Sequence, residues 1–128
     1  MKIAAGVQAA VETHAREAAP EECCGLLLGT GDTITEAMRA HNRADDPQRR
    51  YEIDPQDHFV AIRHARAHGL DVVGAYHSHP RSAPVPSDTD RAAAFEDFLF
   101  LIVGRLGNLR AWRFSSGNFA EVPLVSDA

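Results

Sequence analysis

The chain is poor in cysteine: it has two, Cys23 and Cys24, and they are adjacent. Neighbouring cysteines have poor geometry for a mutual disulfide, so no covalent staple is expected and a reducing, cytoplasmic setting is the natural inference. Long apolar runs are missing as well. None approaches the roughly 20 residues of a membrane-spanning helix, and the first residues lack the apolar core of a signal peptide. Positive charge is in deficit, with 13 Lys and Arg against 18 Asp and Glu and a net charge of -5. That balance argues against a general nucleic-acid binder, although Arg39 to Arg50 is locally basic. Internal repeats, low-complexity tracts and linkers are absent too. What is left is an ordinary globular composition, 45% apolar and 24% charged. It is read as one domain over residues 1–128, long enough to bury a real core. The oligomeric state is not legible in it.

The pattern of residues predicts a mixture of strands and helices. Residues 3–19 are alanine-rich and carry Ile3, Val7, Ala10, Val11 and His14 on a helical stripe, ended by Pro20. CGLLLG and TITEAMRA flank Gly29–Asp32 as a hairpin, and 42–50 form a polar loop containing Pro47. Pro55 opens a helix that runs to His68 and is closed by Gly69. A strand follows at Asp71–Tyr76, then a proline loop and a helix from about Asp88 to Glu96. FLFLIVG reads as a buried strand, and LRAWRFSS and NFAEVPLV as a terminal hairpin turning at Gly117–Asn118. The fold class is α/β or α+β around a mixed sheet.

Chemistry concentrates in residues 77–90, HSHPRSAPVPSDTD. His77 and His79 sit two apart at the end of the apolar strand, so both imidazoles project from one face with α-carbons about 7 Å apart. Zinc takes nitrogen ligands at about 2.0–2.1 Å, and two rings at that separation can converge on one ion. Ser87 is suited to cap a helix, and Asp90 then lies in its first turn, able to swing back to the same ion. Two neutral nitrogens, one carboxylate and an open position describe a catalytic zinc site. Such a site needs a base, and Glu21 and Glu22 are the candidates, between a helix end and a buried strand. Their distance along the chain leaves the link to His77 unproved by sequence.

These residues resemble the JAMM (MPN+) metalloprotease family. His77-x-His79, seven residues, Ser87, two residues and Asp90 match its signature at every spacing, and PEECCGLLLG is similar to its upstream segment at Pro20, Glu22, Cys24 and Gly25. The resemblance implies an MPN, cytidine-deaminase-like α/β domain with helices flanking a mixed sheet. It implies that His77, His79 and Asp90 bind one Zn2+ with a water as fourth ligand. Glu22 rather than Glu21 would then be the catalytic acid/base, and Ser87 would hydrogen-bond to the oxyanion. The implied reaction is hydrolysis of an amide at or after the C-terminal Gly-Gly tail of a ubiquitin-like or sulfur-carrier protein. The alternatives are an isopeptidase removing a ubiquitin-like modifier from lysine side chains and a non-catalytic MPN scaffold; no ligand is lost, which ranks the scaffold last. The proline loop would wall the groove, with the substrate tail added to an exposed strand edge.

Other features have simpler readings. Cys23 and Cys24 lie in an apolar run as buried filler, with no partnered histidine to make either a nucleophile. Of His58, His64 and His68, only His64 and His68 share a helix face, and without a third ligand or an acid nearby they read as surface. Arg39, Arg43, Arg49 and Arg50 read as a solvated rim, their clustering also suiting an acidic protein partner. Trp112 is a packing residue of the terminal hairpin. A deaminase is disfavoured because the Pro-Cys-x-x-Cys zinc segment is absent.

Overall fold

The computed structural model describes residues 1–127. Its elements run β1 (Lys2–Ala4), α1 (Ala5–Ala18), β2 (Cys24–Thr30), β3 (Thr33–Ala40), α2 (Pro55–Ala67), β4 (Asp71–Ser78), α3 (Asp88–Ala93), β5 (Leu99–Val103), β6 (Leu109–Ser115), β7 (Asn118–Val122) and β8 (Val125–Asp127). The described strands form one mixed sheet in the order β7-β6-β5-β4-β2-β3-β1-β8. This is the α/β class expected. No helix among the described residues is long and apolar enough to cross a membrane.

Strand alternation divides the interior in two. Leu27, Tyr76, Leu101 and Val103 point to the face covered by α1, where they meet Val7 and Val11. Leu26, Leu28, Ala75 and Phe100 point to the opposite face, where they meet Ala61 and Ala65 of α2. All five residues of β5 are buried, as expected of a strand covered on both sides, and each large aliphatic contributes about 1.5–3 kcal/mol by leaving water. β4 is central, antiparallel to β2 and parallel to β5. A register shift between Val72 and Gly74 reverses the sides along β4, so that Val73 and Tyr76 face α1 while Val72 and Ala75 face α2. Beyond it, alternation puts His77 on Ala75's side.

Several local expectations hold. Pro55 lies in the first turn of α2, and the helix gives way at His68 and Gly69; the structure adds a cap, the Asp54 side chain accepting from the Gln56 amide. β2 and β3 pair as a hairpin. Others need correction. Residues 2–4 are not helical: Ile3 is buried between Ile34 of β3 and Ser126 of β8. The two strand ladders satisfy a backbone that begins without a side-chain cap. Ala10 is exposed, so the buried stripe of α1 reduces to Val7 and Val11. α3 stops at Ala93 rather than Glu96, because Asp97 donates to the Phe114 carbonyl and Phe98 accepts from the Phe114 amide, drawing 97–98 to the sheet. The last hairpin turns on Ser116 and Gly117, at φ 52 and 79. Positive φ at both is what a two-residue turn between twisted strands requires. Residues after Val122 leave that hairpin, and β8 pairs instead with β1 at the other edge.

Candidate metal centre and its surroundings

The register of β2 on β4 closes the gap that the sequence left open. Cys24 stands opposite His77 in the antiparallel ladder. The Ser78 amide donates to the Cys23 carbonyl at 3.2 Å, and the Ser78 hydroxyl accepts from the Cys23 amide at 2.8 Å. Carrying that register two residues further sets Glu22 across from His79, on the same face as both histidines. Glu22 is buried, its Oε1 has no hydrogen-bond partner among the described residues, and its charge feels His79 and Asp90. Burial, with Asp90 adding and His79 opposing, pushes its pKa up to about 7. Glu21 is exposed.

His77, His79 and Asp90 meet as a buried group. The two Nε2 atoms are 3.2 Å apart, His77 Nε2 is 3.2 Å from Asp90 Oδ1, and His79 Nε2 is 3.0 Å from Asp90 Oδ2. His79 Nδ1 lies 2.9 Å from the Ala83 carbonyl, which can only accept, so the proton sits on Nδ1 and the Nε2 lone pair faces inward. Burial works against a charged Asp90, but the two imidazoles outweigh it and hold the carboxyl far below the usual range. Burial likewise lowers His77, against the pull of Asp90, while at His79 the Asp90 carboxylate and the Ala83 carbonyl overcome burial and raise it.

The donor set fits zinc. A tetrahedral ion with bonds of about 2.0–2.1 Å keeps its ligand atoms about 3.3 Å apart, and the observed separations lie close to that. The two Nε2 atoms and the Asp90 carboxylate are the donor types that one divalent cation accepts at this spacing.

Ser87 and Asp90 form a reciprocal cap on α3. The Ser87 hydroxyl accepts from the Asp90 amide at 3.0 Å, and the Ser87 amide donates to Asp90 Oδ2 at 2.9 Å. The cap thus aims the carboxylate at the histidines and leaves the Ser87 hydroxyl proton free to donate.

The proline loop is pinned from outside the motif. Trp112 Nε1 donates to the Pro84 carbonyl at 3.0 Å, and the Arg105 amide donates to Ser82 at 2.8 Å. Gly104 lies under Pro84, where a β-carbon would come within 2.5 Å of Pro84 Cδ. Trp112 is therefore an anchor of the loop as well as a packing residue.

Sequence reasoning missed Tyr51, which stacks on His77 with ring centroids 4.3 Å apart and planes 21° apart. It arrives on the 42–54 segment, which had no motif to flag it. His64, read as lacking an acid, pairs with Glu36 of β3 at 3.0 Å and lies against the tilted ring of His68. The rim arginines are each matched by an acid of this chain: Arg39 with Glu17, Arg43 with Asp54, Arg49 with Asp46 and Arg50 with Asp45. That pairing leaves little free positive charge for an acidic partner. Burial pushes the thiols of Cys23 and Cys24 up to about 11 and about 12, which makes them inert filler. The outermost strands of the sheet are β7 and β8, but β1 pairs with β3 only at Thr33 and Ile34, so the rest of the outer edge of β3, up to Ala40 opposite Cys24, has no strand partner among the described residues.

A mixed sheet with this histidine–aspartate group defines a JAB/MPN-type metallohydrolase fold. The model of prokaryotic homologues of the JAB domain matches residues 4–115, and the chain belongs to that family. It is similar to the desampylase of Haloferax volcanii, 37% identical over 98% of this chain and 95% of that one. It is also similar to a probable TtuB-protein conjugate cleaving protease of Thermus thermophilus, 29% identical over 94% of this chain and 78% of that protein. Among solved structures, a JAB1/MPN domain protein from Archaeoglobus fulgidus superposes with a TM-score of 0.66 at 21% identity, covering 100% of this chain and 97% of that one. The chain is accordingly a hydrolase of peptide or isopeptide bonds.

Proposed function

We propose that this chain is a zinc-dependent isopeptidase that releases ubiquitin-like modifiers from protein conjugates, cutting the amide that follows a C-terminal Gly-Gly. The observation that carries the reading is the convergence of His77, His79 and Asp90 with a buried Glu22 on the same sheet face, its Oε1 without a hydrogen-bond partner among the described residues. The names of the relatives favour conjugates over the trimming of a sulfur-carrier tail as the first reaction to test. The working unit is proposed to be residues 1–128 as a single domain, supported by β8 returning to pair with β1.

His77 and His79 through Nε2, and Asp90 through its carboxylate, would hold the ion. Zinc supplies a Lewis acid that polarises a carbonyl and makes water more acidic. Glu22, raised toward neutrality, is suited to take a proton from the attacking water and return it to the leaving amine. The Ser87 hydroxyl donates toward the developing oxyanion, its oxygen being fixed by the Asp90 amide. The cap and the Trp112 anchor hold these groups before substrate arrives, so little reorganisation is left for the reaction.

The test is cleavage of two substrates by purified protein: a Gly-Gly-ending ubiquitin-like domain linked to a lysine of a reporter protein, and the same domain with a short C-terminal extension. Release of the lysine-linked reporter, lost with chelator and restored by zinc, is expected. Cleavage of the extension alone would shift the reading to tail processing. Activity insensitive to chelator would overturn the zinc mechanism.

A further inference from the structure

The polar loop between β3 and α2 is built around one side-chain amide, that of Asn42. Its Nδ2 donates to the Glu22 carbonyl at 3.1 Å and to the Arg50 carbonyl at 3.0 Å, with a longer contact to Pro47 O at 3.5 Å. Its Oδ1 accepts from the Ala44 and Glu52 amides, both at 3.0 Å. A primary amide offers two donors and two lone pairs, so the group is saturated. The reverse orientation would set the NH2 against two N–H donors, so the network fixes which atom is which.

Glu22 is held from the same side a second time, its own amide donating to the Pro47 carbonyl at 2.8 Å. Both polar backbone atoms of Glu22 are thus engaged by the 42–50 loop. The loop then delivers Tyr51, next to Arg50, onto the ring of His77. One amide therefore closes a loop that grips the peptide of the carboxylate and covers one histidine.

We infer that Asn42 is the positioning residue of this site, fixing the Glu22 carboxylate and the Tyr51 ring relative to His77 without touching substrate or metal. The inference rests on the reading of Glu22 as the base. Misplacement of a reacting group by about 1 Å costs on the order of 100-fold in rate, so the effect belongs in kcat.

The experiment compares Asn42→Asp, Asn42→Ala, Glu22→Gln and a core control, Val11→Ala, using the lysine-linked ubiquitin-like reporter with zinc in excess. Asn42→Asp keeps the acceptor for Ala44 and Glu52, while it replaces the donors to Glu22 and Arg50 by a carboxylate oxygen that repels their carbonyls. Its kcat is expected to fall about 10- to 100-fold with KM within about twofold, bound zinc unchanged, and Asn42→Ala at least as impaired. Val11→Ala, destabilised through the core, is expected to keep its kcat at temperatures where it is folded. A wild-type kcat in folded Asn42→Asp would overturn the inference. So would a loss confined to KM, or one matched by Val11→Ala at equal folded fraction. If Asn42→Ala does not fold, Asn42→Asp decides alone. Activity in Glu22→Gln would instead overturn the reading of Glu22 beneath it.

Discussion

Tyr51 lies nearly flat on His77, with ring centroids 4.3 Å apart. His77 is 1% exposed, and Tyr51 is part of what keeps water from it. Groups around a metal ligand orient it, and their loss commonly costs 10- to 100-fold in affinity. Tyr51→Ala is therefore expected to weaken zinc retention about 10-fold in competition with a calibrated chelator. Tyr51→Phe, which keeps the stack, is expected to bind as the wild type does.

Because folding brings His77, His79 and Asp90 together, an ion that binds them would stabilise the folded chain by mass action. At a free zinc concentration 100 times the dissociation constant the gain is about 2.7 kcal/mol. The midpoint of thermal unfolding is expected to rise on adding zinc to chelator-treated protein, and to stay put in His79→Ala and Asp90→Ala. Differential scanning fluorimetry reads this directly.

Glu22 has its folded-state pKa raised from 4.5 to about 7. For an acid shifted upward, the stability present below the unfolded value is lost as pH rises toward the folded one. In metal-free protein, Glu22→Gln is thus expected to be more stable than wild type at pH 8, by about 1–3 kcal/mol. The gap should close toward pH 4.5, as measured by urea unfolding at each pH. In zinc-loaded wild type the ion's charge would draw the Glu22 pKa back down from its metal-free position, so activity is expected to fall with acidification along a limb that lies below about 7 and is absent from Glu22→Gln.

Gly104→Ala places a β-carbon 2.5 Å from Pro84 Cδ and 2.8 Å from Asn108 Oδ1. Overpacking of this kind costs about 1–3 kcal/mol. The displaced loop includes Ala83, whose carbonyl fixes the His79 tautomer, so zinc retention is expected to fall along with stability. Trp112→Phe, which loses one hydrogen bond to the same loop, is expected to show a smaller version, about 1 kcal/mol.

How much of this was legible beforehand depended on whether the relevant contact was local. His77, His79, Ser87 and Asp90 lie within one turn-and-helix segment, so strand alternation and cap spacing predict their meeting. Pro55 and Gly69 were readable for the same reason. Glu22 was nominated by its flanking motif, but its position follows from the pairing of Cys24 with His77, which no local pattern encodes. Ile3 was misread because a three-residue strand has no period to detect, and its partners lie at Ile34 and Ser126. Tyr51 and Asn42 were passed over because their segment looks like solvated loop. Its order comes from an amide whose partners, Glu22 among them, are distant or irregular backbone.

The most direct test of the account is elemental analysis of zinc in wild-type protein and in Glu22→Gln, His79→Ala and Asp90→Ala, each assayed against the lysine-linked reporter. The account expects about one zinc per chain in the wild type and in Glu22→Gln, little in the other two, and cleavage by the wild type alone. Loss of zinc from Glu22→Gln, or full zinc in His79→Ala or Asp90→Ala, would contradict it.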